Sequence, residues 1–275
     1  MTEVLVRTDW LAERLGQEGL VVAEVDENPD LYEEGHIPGA VKLHWRDDLQ
    51  DPLRRDVVDK AAFERLLGER GIGNDTTVVL YGDKNNWFAA YAYWYLKLYG
   101  HADVRILDGG RQKWIDESRP LTTEVPGPAP VPYTASAVDE SIRARRDEVL
   151  AGLGHEARAL VDVRSTQEYT GELIAPPGYE QEGAARAGHI PTARSIPWAQ
   201  AVHDDGTFKS PDELRDLYDA EGVTAEKEVV VYCRIGERSA HTWFVLRELL
   251  GYPAVRNYDG SWTEWGNLVD VPIER

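Results

Sequence analysis

The sequence consists of two similar halves, and this repeat constrains the fold more than any other feature. The segment that begins at Tyr81 aligns without a gap with the segment that begins at Tyr232, at an offset of 232 − 81 = 151 residues. Tryptophan, glycine, leucine and aspartate recur at the same relative positions in both segments, as in the pair Trp114 and Trp265. Because a repeated order of motifs indicates a repeated structural unit, we expect two domains of the same type.

Two further matches lie upstream and show where the halves differ in length. GHIPGAVKLHW from Gly35 matches GHIPTARSIPW from Gly188, at an offset of 153 residues. The apolar run that ends at Asp26 resembles the run around Asp162, at an offset of 136, so the second half carries 153 − 136 = 17 additional residues between these points. They form the segment GELIAPPGYEQEGAARA, whose glycine, proline and alanine content predicts a surface loop.

The joint between the halves is the proline-rich stretch TTEVPGPAPVPYTAS, residues 122–136. Such a composition predicts an extended, semi-rigid linker. We therefore expect a first domain over residues 1–121, the linker over 122–136, and a second domain over 137–275.

Both halves alternate short apolar runs with segments of helical periodicity. The runs are rich in β-branched residues and nearly continuous, as in the buried strands of parallel sheets. Alternating strands and helices indicate the α/β class, with helices on both faces of a parallel central sheet in each domain. The predicted strands are 21–25, 77–81, 104–107, 159–163, 228–232 and 254–257, and the predicted helices are 60–70, 87–99, 141–150, 211–220 and 238–250.

Charge and hydropathy exclude several classes of partner. The chain carries 30 basic and 49 acidic residues, a net charge of −19, whereas nucleic acids and anionic membranes bind basic surfaces. No apolar run approaches the roughly 18 residues of a membrane-spanning helix, and the N-terminal segment lacks the pattern of a signal peptide. We expect a soluble cytoplasmic protein that binds neither nucleic acid nor membrane.

The only cysteine of the chain, Cys233, stands between a predicted strand and a predicted helix. This is the carboxyl end of a central strand, where open α/β sheets bind their ligands. The following loop, RIGER, contains a glycine and two arginines, Arg234 and Arg238. Inward-facing N–H groups, a helix N-terminus and the two charges would stabilise a thiolate, so we expect a pKa below the free value of about 8.5. The alternative is a small, inert buried cysteine.

The ordered motifs DVR, GHIP, YCRIGERS and YDGSWTEW resemble those of the rhodanese family of sulfurtransferases in its tandem two-domain form. The resemblance covers nearly the whole chain, and the loop after Cys233 is similar to that of thiosulfate sulfurtransferases in particular. It implies a catalytic second domain and an inactive first domain. The sequence agrees, because Gly82 stands at the position equivalent to Cys233 and the loop after it has no arginine.

The resemblance also implies the chemistry. The Cys233 thiolate would attack the sulfane sulfur of thiosulfate, release sulfite and retain a persulfide, which cyanide or a thiol acceptor then unloads. No metal or organic cofactor is expected, and the sequence does not identify a protein acceptor. The expected substrate-binding residues form the loop itself: Arg234, Ile235, Gly236, Glu237 and Arg238.

Four further residues are expected to support the site. Asp162 and Arg164 are similar to the family's Asp-x-Arg motif near the active loop, and the offset of 136 places Asp26 opposite Asp162. Ser239 is expected either to cap the helix or to donate to the persulfide. Trp262 is expected to pack against the sheet or to line the mouth of the site.

Three alternatives remain beside thiosulfate sulfurtransferase. Related phosphatases have a longer Cys-x5-Arg loop, whereas here the spacing is Cys-x4-Arg, which suits a single sulfur atom. A 3-mercaptopyruvate sulfurtransferase is disfavoured because Glu168 stands where many family members have a substrate-contacting arginine, and because arginine, not glycine, follows Cys233. A persulfide carrier or sensor module that serves a protein partner stays open.

Overall fold

The computed structural model describes residues 4–179 and 183–275. These residues divide into two compact units, Met1–Asp139 with Val202–Phe208, and Glu140–Ala201 with Lys209–Arg275. The short segment Val202–Phe208 belongs to the first unit although it lies in the second half of the chain. Its place there is fixed by a 2.9 Å hydrogen bond from the Phe208 N–H to Asp108 and by a 2.9 Å ion pair between Lys113 and Asp205.

The first unit contains a parallel sheet flanked by helices, with the strand order β1-β5-β4-β2-β3. The segment over residues 123–139, which includes most of the predicted linker, contains no strand or helix. The strands are β1 (Leu5–Val6), β2 (Leu20–Glu24), β3 (Val41–Lys42), β4 (Thr77–Tyr81) and β5 (Val104–Leu107), and the helices are α1 (Thr8–Ala12), α2 (Leu31–Glu34), α3 (Lys60–Glu69), α4 (Trp87–Leu98) and α5 (Gly110–Asp116).

The second unit repeats this plan with the strand order β7-β6-β8-β9, again all parallel. A single parallel bridge between Arg143 and Asn257 stands where β1 pairs with β5 in the first unit. The strands are β6 (Arg158–Asp162), β7 (Arg194–Ser195), β8 (Glu228–Tyr232) and β9 (Val255–Asn257), and the helices are α6 (Arg146–Ala151), α7 (Thr166–Thr170), α8 (Pro211–Asp219), α9 (Glu237–Phe244), which continues as one π-helical turn (Val245–Leu249), and α10 (Ser261–Trp265).

The predicted α/β class is confirmed, and local sequence explains the elements. In β8, Val229, Val230 and Val231 are all buried, as expected for a central strand covered on both faces. Helix α8 begins with a capping box in which Ser210 and Glu213 satisfy each other's backbone N–H groups, followed by proline at the first position. Among the described residues, no helix is long and apolar enough to cross a membrane.

Strand pairing corrects one part of the predicted repeat. Tyr81 is the register partner of Glu24, and Tyr232 is the register partner of Asp162. Asp162 therefore corresponds to Glu24 at an offset of 138, and the second half has 153 − 138 = 15 additional residues, not 17. The predicted equivalence of Asp26 and Asp162 was wrong by two residues. A slip of two keeps every side chain on the same face of a strand, so the apolar pattern could not exclude it.

Candidate active site

Cys233 lies directly after β8 and is completely buried. The chain then turns into α9 through Gly236, whose φ of 100° is a conformation that other residues rarely adopt. A Cβ atom at Gly236 would also lie 2.9 Å from Cα and Cβ of Asp259. The loop therefore needs glycine at this position, and it places Cys233 at the carboxyl end of the central strand, as predicted.

The first turn of α10 fastens the loop from one side. The Cys233 N–H donates to Oγ of Ser261 at 3.1 Å, while the Trp262 N–H donates to the Cys233 carbonyl at 3.0 Å. The Thr263 N–H donates to the Arg234 carbonyl, also at 3.0 Å. Sequence analysis missed Ser261. The available signal was the repeat, because a glycine, Gly110, stands at the equivalent position of the first half.

A buried asparagine fastens the loop from the other side. Nδ2 of Asn257 donates to the Gly236 carbonyl at 3.1 Å, and Oδ1 accepts a 2.7 Å hydrogen bond from Oγ of Ser239. The Ser239 hydroxyl oxygen lies 3.6 Å from Sγ of Cys233. Asn257 was also missed, although a polar residue replaces Ile106 of the first half at this strand position. Ser239 thus touches both the sulfur and the asparagine that holds the loop.

Hydrogen-bond donors and one carboxylate surround the sulfur. The Gly236 N–H donates to Sγ of Cys233 at 3.2 Å. Oε2 of Glu237 lies 3.1 Å from Sγ and accepts a 3.2 Å hydrogen bond from the Ile235 N–H. Glu237 is completely buried. The loop therefore directs an N–H group at the sulfur, as expected, and it also places a negative charge there.

Arg238 is paired with the buried Glu168. Its two terminal nitrogens donate to the two Glu168 oxygens at 2.8 and 3.0 Å, a bidentate geometry of the strong kind. Burial alone would raise the pKa of Glu168, but the positive charges of Arg238 and Arg164 outweigh it and lower that pKa to about 2. The charge of Glu168 is thus compensated by Arg238. Glu168 therefore does not repel a carboxylate donor, which was the reason for expecting that mercaptopyruvate is disfavoured.

Arg234 is less fully compensated. Its guanidinium carbon lies 4.8 Å from the ring centre of Tyr179, and Nη2 lies 3.7 Å from Oε1 of Glu237. Nη1 is buried and has no hydrogen-bond partner among residues 4–179 and 183–275. Arg234 therefore retains a donor for an anion that the described part of the chain does not supply.

The pKa of the Cys233 thiol is raised, opposite to the prediction from sequence. Burial is the largest cause, and the negative charge of Glu237 acts in the same direction. Arg238 and Ser239 lower the pKa but do not compensate. The prediction assumed two uncompensated arginines, whereas Arg238 shares its charge with Glu168 and both arginines face Glu237.

Asp162 and Arg164 form a buried ion pair at the end of β6. Arg164 donates to Asp162 through Nε at 2.9 Å and Nη2 at 2.6 Å, and Nη2 also reaches the Gly188 carbonyl at 2.7 Å. Its guanidinium lies 4.5 Å from the ring centre of Trp262. Trp262 is buried, and its Nε1 donates to the Arg186 carbonyl at 3.0 Å. It packs in the core of the second unit and does not form an exposed rim.

The first unit has a different arrangement at the equivalent position. A Cβ atom at Gly82 would collide with the carbonyl oxygen of Val25 and lie 2.9 Å from its carbon. Asp26 stands where the second unit has Arg164, and burial together with the neighbouring Glu24 raises its pKa to about 9. The cation comes instead from Arg111, which lies 3.6 Å from Glu24 and occupies the position of Trp262. At this position the first unit has neither a cysteine nor the space for its side chain.

No group of three or more histidine, cysteine, aspartate or glutamate residues that could hold a metal ion occurs within the ranges 4–179 and 183–275. The donors near Cys233 are instead backbone N–H groups, hydroxyls and guanidinium groups. Such donors suit a sulfur anion or an oxyanion.

Several known proteins are similar to this chain in sequence or in structure. "Sulfur carrier protein TtuD" of Thermus thermophilus is 60% identical over 99% of this chain and 97% of its own length. "Putative thiosulfate sulfurtransferase" of Saccharopolyspora erythraea is 58% identical over 99% of this chain and 96% of its own length. The anaerobic ergothioneine biosynthesis enzyme of Chlorobium limicola, solved with trimethyl histidine, superposes with a TM-score of 0.86 at 28% identity, over 98% of this chain and 70% of that chain.

The family model described as "Rhodanese-like domain" matches this chain twice, over residues 7–117 and 145–268. The two matches fall on the two repeated sheets, and the second contains Cys233 with the loop that follows it. The chain therefore belongs to the rhodanese family and carries two rhodanese-like domains.

Proposed function

We propose that this protein is a sulfurtransferase that moves the sulfane sulfur of thiosulfate through a persulfide on Cys233 to cyanide or a thiol acceptor. Family membership and the names of the relatives support sulfur transfer in general. The observation that carries the proposal is the pairing of the only cysteine, at the end of β8, with an N–H group aimed at its sulfur. The equivalent position of the first unit cannot hold a side chain.

The reaction proceeds by two displacements at sulfur. In the first, Sγ of Cys233 forms a bond to the outer sulfur of thiosulfate while the bond from that sulfur to the sulfonate breaks, and sulfite leaves. In the second, the acceptor takes the outer sulfur and the Cys233 thiolate departs. Two half-reactions through one covalent intermediate predict ping-pong kinetics.

The residues of the loop divide into two roles. Arg234 and the Gly236 N–H contact the anionic donor and the persulfide, since Arg234 retains a buried, unpartnered Nη1 and the Gly236 N–H donates to Sγ of Cys233. Arg238 acts mainly on the loop, because both of its terminal nitrogens are held by Glu168. Ser239, Asp162, Arg164 and Trp262 keep the loop in place.

A second candidate is a persulfide carrier that serves a protein partner. It is favoured by the relative named as a sulfur carrier, at 60% identity. Because the negative charge of Glu168 is compensated by Arg238, mercaptopyruvate is also a candidate donor. Donor preference then depends on how strongly Arg234 binds a sulfonate compared with a carboxylate.

Steady-state rates with cyanide distinguish these functions. Rapid turnover with thiosulfate and slow turnover with mercaptopyruvate supports the proposal, and the reverse order supports mercaptopyruvate as the donor. Formation of a persulfide with negligible turnover supports the carrier. Cys233→Ser is the control, because a hydroxyl cannot hold the transferred sulfur as a persulfide.

A further inference from the structure

Glu237 is a buried carboxylate that touches the reacting atom. Oε2 lies 3.1 Å from Sγ of Cys233, and Oε1 has no hydrogen-bond partner among the described residues. The nearest cations, Arg234 and Arg238, lie 3.7 and 3.6 Å from Oε1, too far for hydrogen bonds. A buried carboxylate with one N–H donor is costly, so a purely structural role is a poor explanation of its position.

The contact between Glu237 and Sγ of Cys233 matches a requirement of sulfur transfer. Sulfur is nucleophilic as a thiolate, while burial and Glu237 itself hold Cys233 in the thiol form. A general base within hydrogen-bond reach can remove the proton as the donor arrives. Among the described residues, the carboxylate that hydrogen-bonds to Sγ is that of Glu237.

We propose that Glu237 is a catalytic acid–base residue of sulfur loading, an inference that rests on the proposed function. The proton of the Cys233 thiol moves to Oε2 of Glu237, and the electron pair left on Sγ forms the bond to the outer sulfur of thiosulfate. The bond from that sulfur to the sulfonate breaks, and its electrons leave with sulfite. Sulfite takes the proton from Glu237 and departs as hydrogen sulfite, while the persulfide remains as an anion.

The transfer of this proton also removes the electrostatic repulsion between Glu237 and the donor. A carboxylate at 3.1 Å from Sγ would repel a dianionic donor that reaches the same sulfur. When Glu237 accepts the proton it becomes neutral, and the charge of Arg234 then acts on the donor. Until hydrogen sulfite departs, the proton stays inside the site, so the net charge of the site changes only through the bound anion.

The test compares Glu237→Gln with Glu237→Asp in single-turnover loading by thiosulfate. The loading rate is monitored through the release of sulfite at pH values from 5 to 10. Glutamine keeps the shape of the side chain and a carbonyl oxygen for the Ile235 N–H, but it cannot take a proton at neutral pH. We expect a loss of about 100-fold at pH 7, within the range for general-base catalysis. The remaining rate should rise about tenfold per pH unit, as the thiolate forms without help, and should converge on the wild-type rate at the alkaline end of the range.

Glu237→Asp keeps a base at a longer distance, so we expect a smaller loss and a pH profile of the same shape as that of the wild type. Far-ultraviolet circular dichroism establishes whether each variant is folded. If the glutamine variant is unfolded, the aspartate variant alone tests the role of Glu237. A loss that is equal at every pH would assign Glu237 a structural role and overturn the proposal. Faster loading by the glutamine variant would overturn it too, since removal of a negative charge would then be the whole effect.

Alkylation of Cys233 by iodoacetamide separates this proposal from the proposed function, because it needs no sulfur donor. We expect wild type to react faster than Glu237→Gln at pH 7 and the two rates to converge at high pH. If thiosulfate does not load wild type while alkylation shows this difference, the proposed donor is wrong and the role of Glu237 as a base stands. Equal alkylation profiles overturn that role whatever thiosulfate does.

Discussion

The buried pair of Arg238 and Glu168 should make the second unit sensitive to acid and to mutation of either partner. Glu168 has its pKa lowered from 4.5 to about 2, which corresponds to about 3 kcal/mol at about 1.4 kcal/mol per pH unit. A carboxyl whose folded pKa is lowered contributes this stability in full above its unfolded pKa, near 4.5, and loses it as the pH falls towards 2. Direct removal of one partner should cost about 3–5 kcal/mol, because an uncompensated charge stays buried.

The assay is urea unfolding of the full chain between pH 3 and 7, monitored by circular dichroism and by tryptophan fluorescence. We expect the transition of the second unit to move to lower urea in Glu168→Gln and in Arg238→Met at pH 7. The double variant should be more stable than the sum of the single effects predicts, since it leaves no unpaired charge. The stability difference between wild type and Glu168→Gln should shrink as the pH falls below 4.5.

Two results would refute this reasoning. Single variants that each cost less than about 1 kcal/mol, as exposed ion pairs do, would show that the pair is solvated. A stability difference that is the same at pH 3 and pH 7 would show that the Glu168 carboxylate is not ionised by its contact with Arg238. The exposed pair of Arg215 and Asp212, in which side chains are 49% and 95% exposed, supplies the matched control, and Asp212→Asn should change little.

Two further predictions concern the first unit and the donor. Gly82→Cys should create no sulfur-accepting site and should lower the stability of the first unit, because its Cβ collides with the Val25 carbonyl; persulfide formation on that residue in a Cys233→Ser background would contradict this. Arg234→Ala should lower kcat/KM for thiosulfate roughly 10- to 150-fold, the scale of one charge-assisted contact of about 1.5–3 kcal/mol, and should affect an uncharged sulfur donor less. Equal losses for both donors would show that Arg234 shapes the loop and does not bind the anion.

The fold could be predicted from sequence because the repeat and the strand pattern can be recognised in short continuous segments of the chain. The predicted strands lie within one residue of the observed ones, since continuous valine-rich runs have few other stable arrangements. Cys233 could be placed for the same reason, because a strand and a helix bracket it. The short strands β1, β3 and β7, of two residues each, were not predicted, because two residues carry no periodicity.

The electrostatics of the site could not be predicted, because they depend on contacts between distant residues. Arg238 and Glu168 are 70 residues apart in sequence, and nothing local indicates that they pair. The direction of the Glu237 side chain depends on the turn at Gly236, which sets where α9 begins. Without these contacts the loop appeared more positive than it is, and the pKa of Cys233 was predicted in the wrong direction.

The central claim is that Cys233 carries the transferred sulfur, and mass spectrometry of the intact protein tests it most directly. After incubation with thiosulfate and removal of excess donor, wild type should gain the mass of one sulfur, about 32 Da, on the peptide that contains Cys233. Cyanide should remove this mass and yield thiocyanate, and Cys233→Ser should show neither change. Release of thiocyanate by Cys233→Ser at a rate close to that of wild type, or an unmodified Cys233 during wild-type turnover, would contradict the account.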